Sequence, residues 1–136
     1  MGRPGAELER VVIRRAGARC EYCHFPEFAA EIPFHIDHII AEKHGGPTEA
    51  ANLAWACFSC NLRKGPNIAG LDPANGELTR LFQPRSDEWS EHFEWHDAWL
   101  HGKTAVGRTT IAVLGINNDD DVAVREALLV GGGFVF

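Results

Sequence analysis

The spacing of apolar positions near the start of the chain predicts an amphipathic helix. Over residues 6–16 apolar side chains recur at intervals of three or four, with arginines between them: Leu8, Val11, Val12, Ala16. This period matches one face of an α-helix, and Gly17 is a residue type that commonly follows a helix end. The predicted helix delivers the chain to Cys20.

Residues 32–40 carry the pattern of a strand. The alternation places Phe34, Ile36 and His38 on one face, whereas His35, Asp37 and Ile39 lie on the other. The neighbours Asp37 and His38 are therefore expected to point in different directions.

Short elements are predicted to follow this strand in close succession. Gly45, Gly46 and Pro47 mark a turn, and a short helical stretch starting at Thr48 or Glu49 then leads to Asn52. A second strand is expected around residues 54–56, and a helix over 59–64 that is stopped by Gly65-Pro66.

The next segment, residues 66–84, is rich in Gly, Pro, Asn and Asp but is interrupted by leucines and Phe82. We predict an irregular wrap across the core and not a free linker. The bulky aromatics over 92–100 predict a hairpin that turns near Asp97 and is closed by Gly102.

Two further helices are predicted, over 104–114 and 121–130. Asp119–Asp121 are expected to supply the cap and a favourable charge at the start of the second helix. Residues 131–136 are predicted to form a loose tail. Helices and short strands together indicate an α+β fold.

Length and composition indicate one ordinary globular domain over residues 1–136, with 45% hydrophobic and 24% charged residues. No stretch approaches the roughly 20 apolar residues that span a bilayer, and the first residues lack the apolar core of a signal peptide. A cytoplasmic location without membrane contact is therefore expected.

The net charge of −6 argues against tight, nonspecific DNA binding, because Lys and Arg usually drive binding to phosphates. The charge is unevenly distributed, with an acidic run near residues 119–126. Basic residues concentrate in the first half, so a local basic face remains possible: Arg3, Arg10, Arg14, Arg15, Arg19, Lys43, Arg63, Lys64.

Two Cys-x-x-Cys pairs, Cys20/Cys23 and Cys57/Cys60, carry the clearest chemical signal. In a reducing compartment disulfides are disfavoured, and two such pairs can supply the four sulfur ligands of a tetrahedral zinc site. Buried thiols or a redox pair are the alternatives, but the second pair and the absence of a fitting βαβ pattern favour zinc. A zinc ion with four sulfur ligands would be structural.

Several motifs follow one another over residues 10–66: Cys20-x-x-Cys23, His35-Ile-Asp37-His38-Ile-Ile, Gly45-Gly46, Asn52-Leu53 and Cys57-x-x-Cys60-Asn61-x-x-Lys64-Gly65. Their order and spacing resemble the HNH endonucleases. The segments Leu81–Arg85, Trp89-x-x-His92-Phe93 and Gly107–Thr110 also resemble the C-terminal region of a bacterial HNH subgroup.

This resemblance implies a ββα-metal core braced by the four-cysteine site, with an N-terminal helix and a C-terminal extension over about 67–130. Asp37 and Asn61 would bind a divalent cation, Mg²⁺ or Mn²⁺, while His38 activates the attacking water. Asn52 would tie the loop between the strands. Asn61 stands where the final His of the family name is found, a variation that active members also carry.

The resemblance also implies a reaction, the hydrolysis of phosphodiester bonds in DNA that leaves 5′-phosphate and 3′-hydroxyl ends. Because no recognition module is evident, we expect nicking or cutting with low sequence specificity. His35, Arg63 and Lys64 are candidate phosphate contacts. A double-strand break by chains with one site each would favour a homodimer.

Other functions stay open at this point. A noncatalytic zinc module that binds nucleic acid or protein would suit the acidic charge, and a zinc-ribbon domain of a larger complex would use the C-terminal half for docking. The chemistry of a phosphodiester centre also does not separate DNA from RNA, or duplex from single strand.

Overall fold

The computed structural model describes residues 4–132. Their contacts divide the chain into two compact units. The first unit contains the described residues up to Ile68 together with Gln83–Ser86, and the second contains Ala69–Phe82 and the described residues from Asp87 onward. The boundary lies close to the end of the predicted motif core. The single-domain reading stays a prediction.

The first unit begins with helix α1 (Ala6–Ala16), as the apolar spacing predicts. Val12 and Ala16 are buried on its inner face. Gly17 ends the helix in the left-handed conformation at φ 69°, which glycine adopts at little cost.

Strands β1 (His35–His38) and β2 (Leu53–Ala56) form an antiparallel pair in which His35 lies opposite Ala56 and His38 opposite Leu53. β1 is shorter than the predicted strand over 32–40. Pro33 has no N–H to give to a ladder, and beyond His38 the backbone bonds to Asn52 instead of continuing along β2.

Helix α2 (Phe58–Lys64) follows β2 directly, one residue longer than predicted. Cys57 caps it, because its Sγ accepts a hydrogen bond from the Cys60 N–H. The stop at Gly65 is confirmed, and so is the short helical stretch before β2, a 3₁₀ turn over Ala50–Asn52.

The second unit begins with a hairpin of β3 (Ala69–Leu71) and β4 (Leu78–Arg80), so the predicted irregular wrap is wrong here. The polar residues between the strands form its loop. The Asp72 N–H donates to the Glu77 carbonyl at 2.9 Å, and Gly76 takes a positive φ of 75°. Composition alone did not distinguish this loop from coil.

The hairpin predicted over residues 92–100 is confirmed. After the single turn α3 (Trp89–His92), strands β5 (Phe93–His96) and β6 (Trp99–Gly102) pair with Phe93 opposite Gly102. Asp97 occupies the turn at φ 55°, a conformation that Asp tolerates better than most residues.

Helices α4 (Ala105–Leu114) and α5 (Asp119–Val130) complete the second unit. The predicted aspartate cap of α5 is corrected, because the side chain of Asn118 accepts the Asp121 N–H and the three aspartates lie in the first turn. Of the predicted tail, residues 133–136 lie outside the described part. None of the helices within residues 4–132 has the length and apolarity to cross a membrane.

Candidate metal and catalytic site

The four cysteines converge in the first unit. Their Sγ atoms all lie within 4.8 Å of one another, and all four residues are buried. Cys23 Sγ and Cys57 Sγ are 3.8 Å apart, and tetrahedral zinc with sulfur at about 2.3 Å places neighbouring sulfurs about 3.8 Å apart. The donor set therefore fits zinc. Within residues 4–132 no other group of three or more His, Cys, Asp or Glu side chains converges in this way.

The first cysteine pair is tied to the β1–β2 hairpin through Glu21. The Glu21 N–H donates to the Trp55 carbonyl at 2.9 Å, and the Trp55 N–H donates to Glu21 Oε2 at 2.7 Å. Glu21 also forms an ion pair with Arg85. The cysteine cluster and the strand that carries Asp37 and His38 thus belong to one hydrogen-bonded assembly.

Asp37 is buried and accepts hydrogen bonds from two sides. Tyr22 Oη donates to Asp37 Oδ2 at 2.7 Å, and Lys64 Nζ lies 3.1 Å from the same oxygen. Burial raises the pKa of Asp37 above its ordinary value, while the Lys64 ammonium and the Tyr22 hydroxyl act in the opposite direction. The protein thus provides compensation for a buried carboxylate.

The position of Lys64 corrects its predicted role as a phosphate contact. The residue is 1% exposed, and its ammonium also donates to the carbonyls of Ile39 at 2.9 Å and His38 at 3.2 Å. Lys64 is the last residue of α2, which packs against β1, so its side chain turns inward along that strand. An ammonium enclosed by these oxygens is not available to a phosphate in solution.

The side chain of His38 has a different partner from the side chain of Asp37. Its Nε2 lies 2.9 Å from Thr48 Oγ1, in the loop that follows the first strand. No described residue hydrogen-bonds to the other ring nitrogen, Nδ1. The two neighbours therefore engage separate parts of the first unit.

Asn52 fastens that loop. Its Oδ1 accepts the Ile40 N–H, and its Nδ2 donates to the carbonyls of Ile40 and Pro47, each at 2.9 Å. These three bonds satisfy most of what a buried amide can form. The geometry suits the supporting role that the family resemblance implies for Asn52.

The remaining candidates lie on or beside α2. Asn61 is half-buried on the helix that packs against β1, and Arg63 is exposed. His35 is exposed at the start of β1, with its ring 6.2 Å from that of Phe58. The structure places Asn61 and Asp37 on two elements in contact, and their shared binding of a cation stays a prediction.

The oxygen donors of this region suit a hard divalent cation. A carboxylate has about four lone-pair positions, and two donors on Asp37 leave acceptor capacity. Carboxylate and amide oxygens are ligands that Mg²⁺ and Mn²⁺ accept. Sequence reasoning missed Tyr22 and Thr48. Nothing in the pattern marks an aromatic residue between two cysteines, or a loop threonine, as a partner of the site.

Comparison with known proteins gives a family match within the first unit. Residues 20–67 match the family model of the HNH endonucleases, and this segment contains both cysteine pairs, Asp37 and His38. The expectation of an HNH domain is confirmed for residues 20–67, which combine helices and small sheets with a four-cysteine cluster.

A curated relative extends the similarity beyond this segment. Over 133 residues the chain is 26% identical to the Septu protein PtuB of Bacillus thuringiensis, covering 96% of this chain and 48% of that protein. The chain therefore spans about half the length of the curated relative it matches. No solved structure matches the chain.

Proposed function

We propose that this chain is a metal-dependent endonuclease that hydrolyses phosphodiester bonds in DNA with low sequence specificity. The observation that carries the proposal is the pairing of Asp37 and His38 within an HNH domain, each held by its own partners. Asp37 is buried with compensated charge, and His38 keeps one ring nitrogen that bonds to no side chain or backbone group of residues 4–132.

The residues have separate roles in this reaction. Asp37 and Asn61 would hold Mg²⁺ or Mn²⁺, which when bound polarises the phosphate and offsets its negative charge. His38 takes a proton from the attacking water, a task for which a neutral imidazole is suited. Asn52 keeps the loop beside His38 in place.

The four cysteines would hold a structural zinc ion. Four sulfurs complete a tetrahedron and leave no open position for substrate, so this site braces the fold. The reducing cytoplasm, where thiols persist, is the compartment that suits such a site.

Binding of the substrate would depend on few contacts. Arg63 and His35 are exposed beside the strand and are the remaining candidates for phosphate contact. With a net charge of −6 we expect weak binding, and because few phosphates are contacted its affinity should decline only gently with salt. A homodimer would be needed for double-strand breaks.

The test is cleavage of supercoiled plasmid by the wild type, His38→Ala and His44→Ala, with Mg²⁺, Mn²⁺ or EDTA and with zinc content confirmed. His44→Ala is the matched control, since His44 is exposed on the 3₁₀ turn after β1. We expect nicking that requires the divalent ion, is retained in His44→Ala and is lost in His38→Ala. Equal activity in all three proteins would contradict the proposal.

The hydrogen bonds from Tyr22 and Lys64 to Asp37 favour one alternative, a noncatalytic zinc-braced module that binds nucleic acid or protein. In that module Asp37 would serve the fold alone. Absence of cleavage on any DNA or RNA, together with salt-sensitive binding of the same nucleic acids, would support it.

A further inference from the structure

The contact between His38 and Thr48 joins two separate elements of the first unit. His38 ends β1, while Thr48 lies ten residues later in the loop before the 3₁₀ turn, and Nε2 and Oγ1 are 2.9 Å apart. Thr48 is half-buried, so water could satisfy its hydroxyl. The hydrogen bond to His38 is therefore not required to satisfy the threonine.

The loop that carries Thr48 is fixed on both sides. Gly46 approaches Ile40 so closely that a Cβ there would lie 1.7 Å from the Ile40 carbonyl oxygen, and Asn52 holds the Pro47 carbonyl at 2.9 Å. The Pro47 carbonyl is thus bonded to the Asn52 side chain, which also bonds the backbone of Ile40 just after β1. The hydroxyl is held in place by the fold.

A neutral imidazole carries one N–H, so the partner of one nitrogen decides the state of the other. If Nε2 carries the hydrogen and donates it to Thr48, then Nδ1 has the lone pair that a general base requires. If Thr48 donates to Nε2 instead, Nδ1 is protonated and His38 cannot accept a proton at either nitrogen.

We propose that Thr48 is a positioning residue for His38. The Thr48 hydroxyl accepts the His38 Nε2–H and thereby leaves Nδ1 free to take the proton of the attacking water. This inference rests on the proposed function. Water gives its proton to Nδ1 as its oxygen bonds to phosphorus, and the bond from phosphorus to the 3′ oxygen breaks. The 3′ oxygen takes up a proton from solvent.

The bond to Thr48 gains strength during this step. Once Nδ1 is protonated the ring is a cation, and a hydrogen bond from a charged donor is roughly twice as strong as a neutral one. Thr48 therefore stabilises the developing imidazolium in the transition state more than the resting imidazole. Its loss should lower kcat with little effect on binding of DNA or of the divalent ion.

The experiment compares wild type, Thr48→Val and Thr48→Ser in zinc-loaded protein. Valine keeps the shape and removes the hydroxyl, whereas serine restores it. Ring ¹⁵N chemical shifts of His38, assigned by loss of the signals in His38→Ala, report the tautomer directly. We expect the Nε2–H form in wild type and Thr48→Ser, and a mixture of tautomers in Thr48→Val.

Cleavage assays give the second readout. We expect kcat to fall roughly ten- to a hundred-fold in Thr48→Val, with unchanged KM and unchanged Mn²⁺ affinity, and to recover in Thr48→Ser. The unfolding midpoint of each variant serves as the control for folding. A wild-type kcat in Thr48→Val would overturn the proposal.

Measurement of the His38 tautomer distinguishes failure of this inference from failure of the proposed function. If wild type cleaves no substrate, the proposed function fails, and the ¹⁵N shifts still decide whether Thr48 fixes His38. A dominant Nδ1–H form in wild type overturns the inference whether or not the protein is a nuclease.

Discussion

Lys64 Nζ lies 3.1 Å from Asp37 Oδ2, and both side chains are almost completely buried where α2 packs on β1. Removal of two charges from water is costly, and the pair repays that cost only because the ammonium also reaches two backbone carbonyls and Tyr22 donates to the carboxylate. Each charge is therefore dependent on the other.

This dependence predicts a large loss of stability in Lys64→Met. The variant leaves Asp37 as a buried carboxylate without its cation, and we expect the free energy of unfolding to fall by about 3–5 kcal/mol. Urea unfolding of the zinc-loaded protein measures it. Lys43→Met, at an exposed position, is the control. The double variant Lys64→Met/Asp37→Asn should recover much of the loss, and failure to do so would show that packing and not charge is at stake.

The partners of Asp37 lie in the chain segments that carry the two cysteine pairs. Binding of the catalytic divalent ion is therefore predicted to depend on zinc. Tyr22 lies between Cys20 and Cys23, and Lys64 closes the helix that starts after Cys57. Removal of zinc should release both donors. We expect Cys57→Ser to lower the zinc content and to weaken Mn²⁺ binding, measured by electron paramagnetic resonance, in proportion. Full Mn²⁺ binding in zinc-free protein would show that the two sites are independent.

The close approach of Gly46 to Ile40 predicts that an added side chain at position 46 destabilises the loop. In Gly46→Ala the new Cβ would meet the Ile40 carbonyl, which cannot move aside as a flexible side chain can. We expect a loss of about 3 kcal/mol or more, and reduced cleavage, because Thr48 is displaced from His38. Gly5→Ala is the control, since nothing lies within 4 Å of its added Cβ. Equal stability of the two variants would contradict the close approach.

The periodic elements of the fold could be predicted from the sequence, and the contacts of the site could not. α1 follows from apolar spacing, and the cysteine cluster from two matched pairs. The sequence makes Lys64 a candidate phosphate contact, whereas in the structure it is 1% exposed. Its burial depends on Asp37, which lies 27 residues earlier in the chain. A partnership of that kind arises only once α2 packs on β1, and no local pattern encodes it.

The same limit applies to the hairpin of β3 and β4. The richness of residues 66–84 in Gly, Pro, Asn and Asp predicts an irregular segment, yet Asp72 is fully buried. Arg108, on α4, donates to both of its carboxylate oxygens, at 3.0 and 2.8 Å. A partner 36 residues away turns a residue type typical of loops into part of the interior of the second unit.

The contacts of Asp72 predict that the free energy of unfolding falls at acidic pH. The Arg108 guanidinium, together with the Ala74 N–H, lowers the pKa of Asp72 from its ordinary value of 3.8. Above that value the carboxylate is ionised in both states and the full stabilisation is present. As the pH falls, the unfolded chain takes up the proton first, so the stabilisation is lost as the pH approaches the lower pKa of the folded state.

Asp72→Asn removes this proton uptake while it preserves the shape of the side chain. We expect wild type to be the more stable protein at neutral pH, and its advantage in urea midpoint to narrow once the pH drops below 3.8. Zinc loss in acid affects both proteins and cancels in the difference. Glu77→Gln, at an exposed carboxylate in the same loop, should show no such narrowing. An advantage that stays constant down to about pH 3 would mean that Arg108 does not hold the ionised form of Asp72.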